Sequence, residues 1–469
     1  MTRRLLPVLA LVFVTIRAAR APLDDVDVGW LVATGRTVLA THAVPTRNAF
    51  SYAAPDQPWV MHEWLLGVVY AAGFRAVGAV FLNAVAVLAA TALGALVLHA
   101  ARRTSPIVGT VWTIALFVVA FDRVTSARPI GVMLVFPALF VVLAFRRRLT
   151  APRLVALVVI ELAWTSLHGS FFLGPLILLA TALDARTRGH LAALVGAIIA
   201  TFVNPYGLRL HRLVLGYALG LDPTLHEVRA RVLEFAPIWR PAYHVVVSPA
   251  EIALVLVVAV MAFRRGGARG VLAGILVLMA LLQARNAAVA AIVGSMLVFP
   301  ESEPSPRAAW PALAALAAGL LALRTPAIDD SLGGTAFVEL AAGLPANANV
   351  FVPFRSAGLL LLLDGERGVR TFYDARNDCY PPDLARIGLA LKDGELPAEG
   401  LATVLLRHGT TAAIVPRASF VEATPGDARW PALAVLEPAL AGWERFGESG
   451  GWVSLRPRPG APASPPPAP

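Results

Sequence analysis

From Leu5 to about Leu323 the chain alternates apolar blocks with short breaks that carry arginine. This is the pattern of repeated helical spans, because a helix of about 20 apolar residues covers the hydrocarbon core of a bilayer. Hydrophobic residues make up 57% of the 469 and charged residues 15%, with mean hydropathy +0.69. A soluble chain of this length needs more polar surface. The pattern predicts an all-α polytopic membrane domain over residues 1–324. Its eleven spans fall near 4–21, 79–100, 105–121, 129–145, 153–167, 169–184, 190–203, 249–263, 270–284, 286–300 and 308–324. Segments shorter than a full span must borrow flanking residues or thin the lipid. Arg3-Arg4, the apolar run to Ile16 and Ala19-Arg20-Ala21 also fit a signal peptide. An uncleaved first span fits a chain with many more spans to follow.

Arginine placement orients these segments. With Arg3 and Arg4 in the cytoplasm, every inward turn is short and basic. These turns hold Arg102-Arg103, Arg146-Arg147-Arg148 with Arg153, Arg186 with Arg188, Arg264-Arg265 with Arg269, and Arg307. Residues 62–78 then read as a helix in the outer interface, since a further crossing there would invert the downstream bias. Residues 22–78, residues 204–248 and the chain after Arg324 face outward. The cytoplasm receives only turns. The sole lysine, Lys392, precedes Asp393, so no GxxxxGK phosphate loop exists, and no GxGxxG occurs either. The net charge of +10 comes from arginines between apolar blocks. No basic stripe interleaves with aromatics, which argues against nucleic acid as a partner.

Residue types that carry chemistry crowd the first outer loop. Asp24, Asp25 and Asp27 stand at a membrane boundary, where carboxylates are costly unless they meet water, a cation or a reacting group. Trp30, Gly35-Arg36, His42, Pro45, Phe50-Ser51-Tyr52, Pro58-Trp59-Val60 and His62-Glu63-Trp64-Leu65 follow. His62-Glu63 is no zincin helix, because Leu66 replaces the second histidine of HExxH. Asp25 and Asp27 could hold a divalent cation, since hard ions favour carboxylate oxygens. Arg128, His168, Arg285 and Asn286 fall at the outer ends of spans. Arginine at that depth suits either phosphate oxygens or snorkelling toward headgroups. His168 suits hydrogen-bonded packing as well as a ligand, with Gly169-Ser170 allowing close helix approach.

The order Asp-x-Asp, Trp, Gly-Arg, His-x-x-Pro, Phe-Ser-Tyr, Pro-Trp-Val, His-Glu-Trp-Leu resembles a set of bacterial membrane proteins. These are related to the GT-C glycosyltransferases, among them protein mannosyltransferases and lipid A aminoarabinose transferases. The likeness extends to Arg128-Pro129, Leu167–Phe171, Asn204–Gly207, Ala284–Asn286 and Tyr373–Asp378. It implies a polyprenyl-phosphate sugar donor, an envelope acceptor and chemistry on the outer face of the bacterial inner membrane. It also implies an acidic base in the first outer loop, with Asp27 favoured over Asp25 and Asp24 by its closeness to Trp30. In that setting Arg128, Arg285 and His168 are the candidates for the donor phosphate, and His62, Glu63 and Trp30 for substrate. A single displacement inverts the anomeric carbon. The competing reading is a transporter or scaffold for envelope polymers. It needs a polar path through the bilayer, at which only Glu161 hints.

Residues 325–457 read as a small outer α/β domain. Asn349–Phe354, Leu359–Leu363, Val369–Tyr373 and Ala412–Val415 have strand character, with helices near 332–342, 383–392 and 397–408. Asp374, Arg376, Asn377 and Asp378 follow a strand and read as a turn with an Asp–Arg pair. The single cysteine, Cys379, excludes an intrachain disulfide. The Pro- and Ala-rich residues 458–469 read as disordered.

Overall fold

The computed structural model describes residues 2–101, 115, 128–220, 222–240, 247–298, 309–422 and 433–459. The turns at Arg102-Arg103 and Arg307, nearly all of the 105–121 segment and the tail beyond 459 lie outside the described residues.

Helices dominate, but not as eleven spans. Among the described residues one helix, over Val80–Ala100, is long and apolar enough to cross a membrane. The other apolar helices, such as Arg188–Phe202 and Gly267–Leu282, run 10–17 residues. This corrects the polytopic expectation. The apolar blocks are present, but the helices they form are shorter than the roughly 20 residues that a bilayer crossing needs. The Ala151–Leu167 helix ends on extended His168, the Leu173–Ala185 helix on left-handed Arg186 and the Gly267–Leu282 helix on extended Gln283. Gly266 and Gly267 take φ of 58° and 59°, which only glycine adopts freely, and they split two helices. Apolar composition reported burial as well as span length: Leu134, Phe140, Leu157, Trp164, Ala193 and Ala273 are all buried in one core.

The first loop folds into a helix, Val28–Thr41, that packs on two others. A Cβ on Gly35 would stand 1.9 Å from the Gly67 carbonyl oxygen of the Trp64–Val77 helix. A Cβ on Gly29 would stand 1.9 Å from the Gly358 carbonyl oxygen of the Phe354–Asp364 helix. Only glycine permits both approaches, and they fix the start of the Val28–Thr41 helix between its neighbours.

The C-terminal region holds a mixed five-stranded sheet in the order β2-β1-β3-β5-β4. Its strands are β1 (Asn349–Phe351), β2 (Arg370–Thr371), β3 (Ala412–Pro416), β4 (Glu444–Ser449) and β5 (Trp452–Arg456). β1 lies parallel to β2 and β3, while β5 runs antiparallel to β3 and β4. Leu359–Leu363, expected as a strand, lies within the Phe354–Asp364 helix. A short, wholly apolar run has no periodicity to separate the two. The first loop continues the sheet past β2. Thr371 N donates to Phe50 O at 2.9 Å, and Tyr52 N donates to Thr371 O at 3.1 Å. Ser51 Oγ adds a bond to Phe372 O at 2.8 Å.

Candidate functional site

Asp25 serves two masters. Its Oδ1 accepts from the backbone N–H of Asp27 (2.9 Å) and Val28 (3.2 Å), covering donors left open at a helix start. Its Oδ2 meets Arg128 Nε at 2.7 Å. Arg128 Nη2 in turn reaches Glu234 Oε1 at 3.1 Å. Both oxygens of Asp25 are therefore engaged, and Arg128 is already neutralised by two carboxylates.

Asp27 is half-buried, at the N-cap position of the same helix. One oxygen accepts from Trp30 Nε1 at 3.0 Å. Burial, reinforced by neighbouring Asp25 and opposed by Arg128, pushes its carboxyl up to about 7. Trp30 is buried and meets Trp59 edge to face at 6.2 Å. Asp24 is exposed but lies within electrostatic reach of Asp25 and Arg128; burial of part of its surface and the Asp25 charge hold its carboxyl above the usual range.

Glu63 is buried at the start of the Trp64–Val77 helix. Its Oε1 lies 3.7 Å from His62 Nε2 and 3.6 Å from His168 Nε2. Burial holds the Glu63 carboxyl well above its usual range, with Asp27 adding to the shift and Arg285 opposing it. Burial and Arg285 also push His62 down to about 4 and hold His168 well below the ordinary imidazole range. His168 Nδ1 accepts from Ser170 N at 3.0 Å and lies 2.8 Å from Ser170 Oγ. That hydroxyl accepts from Trp164 Nε1 at 3.1 Å.

Arg285 lies over the Phe235 ring at 4.7 Å. Among the described residues its guanidinium has no ion pair and no hydrogen bond. It is the cation of this site with free donors. Asn286 is turned back on its own chain, donating to Met279 O at 3.3 Å.

The loop after β2 closes the arrangement. Arg376 grips Asp374 through Nε (2.8 Å) and Nη2 (2.6 Å), with both side chains fully buried. The guanidinium packs on Phe50 at 5.2 Å and Trp59 at 4.9 Å. Asn48 Nδ2 donates to Cys379 O at 3.1 Å, and Thr224 Oγ1 donates to Tyr380 O at 3.1 Å. Asp378 is thereby held near Trp59, Glu63 and Tyr217, and burial pushes its carboxyl up to about 7. From the Asn204–Gly207 turn, Tyr206 Oη donates to Pro45 O at 2.6 Å and accepts from Met61 N at 3.0 Å.

The structure thus gathers Asp25, Asp27, Trp30, His62, Glu63, Arg128, His168 and Arg285, with Asp24 exposed at the edge beside Asp25. Sequence reasoning missed Glu234 and gave Asp378 only a turn. Neither carries a local signal, since each matters through a partner more than 100 positions away. Of the two carboxylates that could hold a cation, Asp25 has both oxygens engaged, while Asp27 gives one oxygen to Trp30. No group of three metal-binding side chains occurs among the described residues. Glu161 is sealed in the interior, beside Gly174 and Phe140.

No protein-family model matches the chain, and no curated protein sequence matches it. Solved structures do. The archaeal oligosaccharyltransferase AglB from Archaeoglobus fulgidus, in complex with an inhibitory peptide and a dolichol-phosphate, is similar over 98% of this chain and 75% of its own. Its TM-score is 0.53, at 11% identity. The Archaeoglobus fulgidus oligosaccharyltransferase tethered to an acceptor peptide with the NVT sequon covers 96% of this chain and 74% of its own, with a TM-score of 0.51 and 12% identity. The apo form of that enzyme covers 95% and 73%, with a TM-score of 0.50 and 11% identity. At 11–12% identity the likeness is one of fold.

Proposed function

We propose that this chain is a glycosyltransferase that moves a hexosyl or pentosyl group from a polyprenyl-phosphate donor to an envelope acceptor. The observation that carries the reading is the convergence on Glu63. Asp27, Asp25, Arg285 and Asp378 all stand within electrostatic reach of its carboxylate. One buried cluster therefore combines a carboxyl raised to about 7, Asp27, with Arg285, whose guanidinium has no ion pair and no hydrogen bond among the described residues. The dolichol-phosphate bound to the AglB enzyme supports a lipid-linked donor.

In this reading the acceptor hydroxyl gives its proton to Asp27 as its oxygen attacks the anomeric carbon. A general base works best when its pKa lies near the working pH, and Asp27 meets that condition. The bond from the anomeric carbon to the phosphate oxygen breaks on the opposite face, so configuration inverts. Arg285 receives the phosphate, since its donor fork is open. Arg128 does not bind the donor; it holds Asp25, which caps the helix that carries Asp27. His62 and Trp30 shape the pocket around the sugar. Residues 1–324 supply the reacting groups, and residues 325–457 cover the cluster with the Asp374–Asp378 loop.

The chain works at a membrane, on the outer face of the bacterial cytoplasmic membrane. Val80–Ala100 is apolar enough to enter it. Leu191, Val195, Ile198, Ile199 and Phe202 on one helix, and Leu256, Val260 and Phe263 on another, present exposed apolar faces. The test is turnover of polyprenyl-phosphate mannose, glucose and arabinose by the purified chain in lipid nanodiscs, with and without a divalent cation. Turnover that Asp27→Asn removes supports the reading. Absence of turnover with every donor overturns it.

A further inference from the structure

We propose that Glu63 is the proton donor to the leaving phosphate, and that His168, locked by Ser170 into one tautomer, is the residue that positions it. The inference rests on the transferase reading above and assigns a second reacting carboxyl within the same site.

The argument begins at Ser170. Its backbone N–H points at His168 Nδ1 from 3.0 Å, and a backbone amide can only donate. Its hydroxyl receives the Trp164 indole N–H at 3.1 Å and lies 2.8 Å from the same Nδ1. Because the backbone N–H already makes Nδ1 an acceptor, the hydroxyl, which accepts from Trp164, turns its own proton to Nδ1. With two donors aimed at it, Nδ1 must be the unprotonated nitrogen. The ring proton then sits on Nε2. That excludes His168 as a proton acceptor and as a metal ligand through Nε2. It leaves a neutral N–H directed at Glu63 Oε1 from 3.6 Å. The separation is longer than a formed hydrogen bond, as is common before substrate tightens a site.

Glu63 has 7% of its side-chain surface open and no arginine or lysine within ion-pair distance among the described residues. A carboxyl buried without a cation partner favours its neutral form. The charged and titratable groups facing it are Asp25 and Asp27 from the neighbouring helix, His62 and Tyr70 from its own segment, His168, Arg285 and Asp378. Three of these are acids, which disfavour ionisation, and one is the arginine assigned to the phosphate. Oε1 is the oxygen that faces the two histidines, at 3.6 and 3.7 Å, and in this assignment the proton sits on Oε2. As the bond from the anomeric carbon to the phosphate oxygen breaks, its electron pair goes to that oxygen. Glu63 Oε2 supplies the proton to it and becomes a carboxylate. Asp27 gains the acceptor's proton in the same turnover, so no net proton is made or lost. Exchange with water restores both groups.

The experiment uses the full chain in nanodiscs and follows release of sugar from polyprenyl-phosphate mannose, glucose or arabinose across pH. Wild type should give a bell. Its acid limb belongs to Asp27, which must be ionised, and its alkaline limb to Glu63, which must be protonated. Glu63→Gln keeps the shape and should lower turnover roughly 10²- to 10⁴-fold while losing the alkaline limb. His168→Ala should lower turnover and move that limb to higher pH, because it removes a donor that stabilises the carboxylate. His168→Gln, which can present an amide N–H in the same direction, should restore part of both. Glu63→Gln with wild-type rate and an intact alkaline limb overturns the assignment while leaving the Asp27 reading standing. His168→Ala with lower turnover but an unmoved limb also overturns it, since that is the mark of a merely structural role. Should Glu63→Gln fail to fold, the His168 pair still decides the matter. A wild type without turnover on any donor sinks the transferase reading itself.

Discussion

Arg128 Nε lies 2.7 Å from Asp25 Oδ2, and through its second contact, with Glu234, the arginine connects the second long loop to the helix that bears Asp27. Arg128 is 30% exposed at its side chain and Asp25 3%, so the pair is screened on one side only. Removing the arginine leaves a buried, uncompensated carboxylate. Arg128→Gln should therefore cost about 3 kcal/mol of stability, the low end for a broken buried pair. It should also lower turnover through Asp27. Thermal unfolding and donor release, measured on the same sample, check both effects. Unchanged turnover would mean that Asp27 does not depend on this support.

Asp27 sets a pH dependence of opposite sign for activity and for stability. Its carboxyl is pushed up to about 7, so the ionised base accumulates only as pH rises through that value, and turnover should rise with it. Stability runs the other way. A carboxyl raised above its unfolded value of 3.8 favours the native state at low pH, and that contribution is lost as pH rises through about 7. Asp27→Asn should thus reduce turnover roughly 10²- to 10⁴-fold. The same variant should melt higher than wild type at pH 8, with the gain shrinking toward pH 5.

The Asp374–Arg376 pair is fully buried and holds Phe50 and Trp59 against the C-terminal sheet. Arg376→Met should cost about 3–5 kcal/mol, because it strands a buried carboxylate. The double variant Asp374→Leu, Arg376→Met should cost less than Arg376→Met alone. Asp374 is held below its ordinary value by the guanidinium, against the opposing pull of burial. Its stabilising contribution is present above pH 4 and is lost as pH falls further. Denaturant unfolding of the three proteins at two pH values measures each part.

Gly29 offers a test of geometry free of charge. A Cβ there would fall 1.9 Å from a backbone oxygen of Gly358, which cannot swing aside as a side chain would. Gly29→Ala should push the Val28–Thr41 helix off the Phe354–Asp364 helix, cost about 1–3 kcal/mol and lower turnover by displacing Asp27. Normal melting with normal turnover would show that the two helices are not held at this distance.

Much of the candidate site was legible because its residues sit in short, dense runs. Asp25, Asp27 and Trp30 are neighbours in sequence, as are His62 and Glu63, and the arginines that face them interrupt apolar segments. What was not legible depends on distant pairing. Glu234 gains meaning only from Arg128, and Asp378 only from a loop folded onto Phe50 and Trp59. The reading of eleven spans failed for another reason. Hydropathy placed ends at 167, 184 and 284, close to the helix ends at Leu167, Ala185 and Leu282, but it reports burial in a protein core as well as burial in lipid. The hairpin of β4 and β5 escaped notice because Glu444–Ser449 is half exposed and charged, and β5 is a short run, buried over four successive residues, with no alternation to mark it as a strand.

The contact of Ser51 with Phe372 spans 321 positions of chain. A ribosome that has delivered the whole first loop has delivered none of the strand that loop must join. Pairings of such separation form slowly and late. The carboxylates of the first loop thus remain without their Asp374–Asp378 cover through most of synthesis. The cover is completed only when the last quarter of the chain arrives, so a stalled or truncated product would carry these carboxylates without the loop that packs over them.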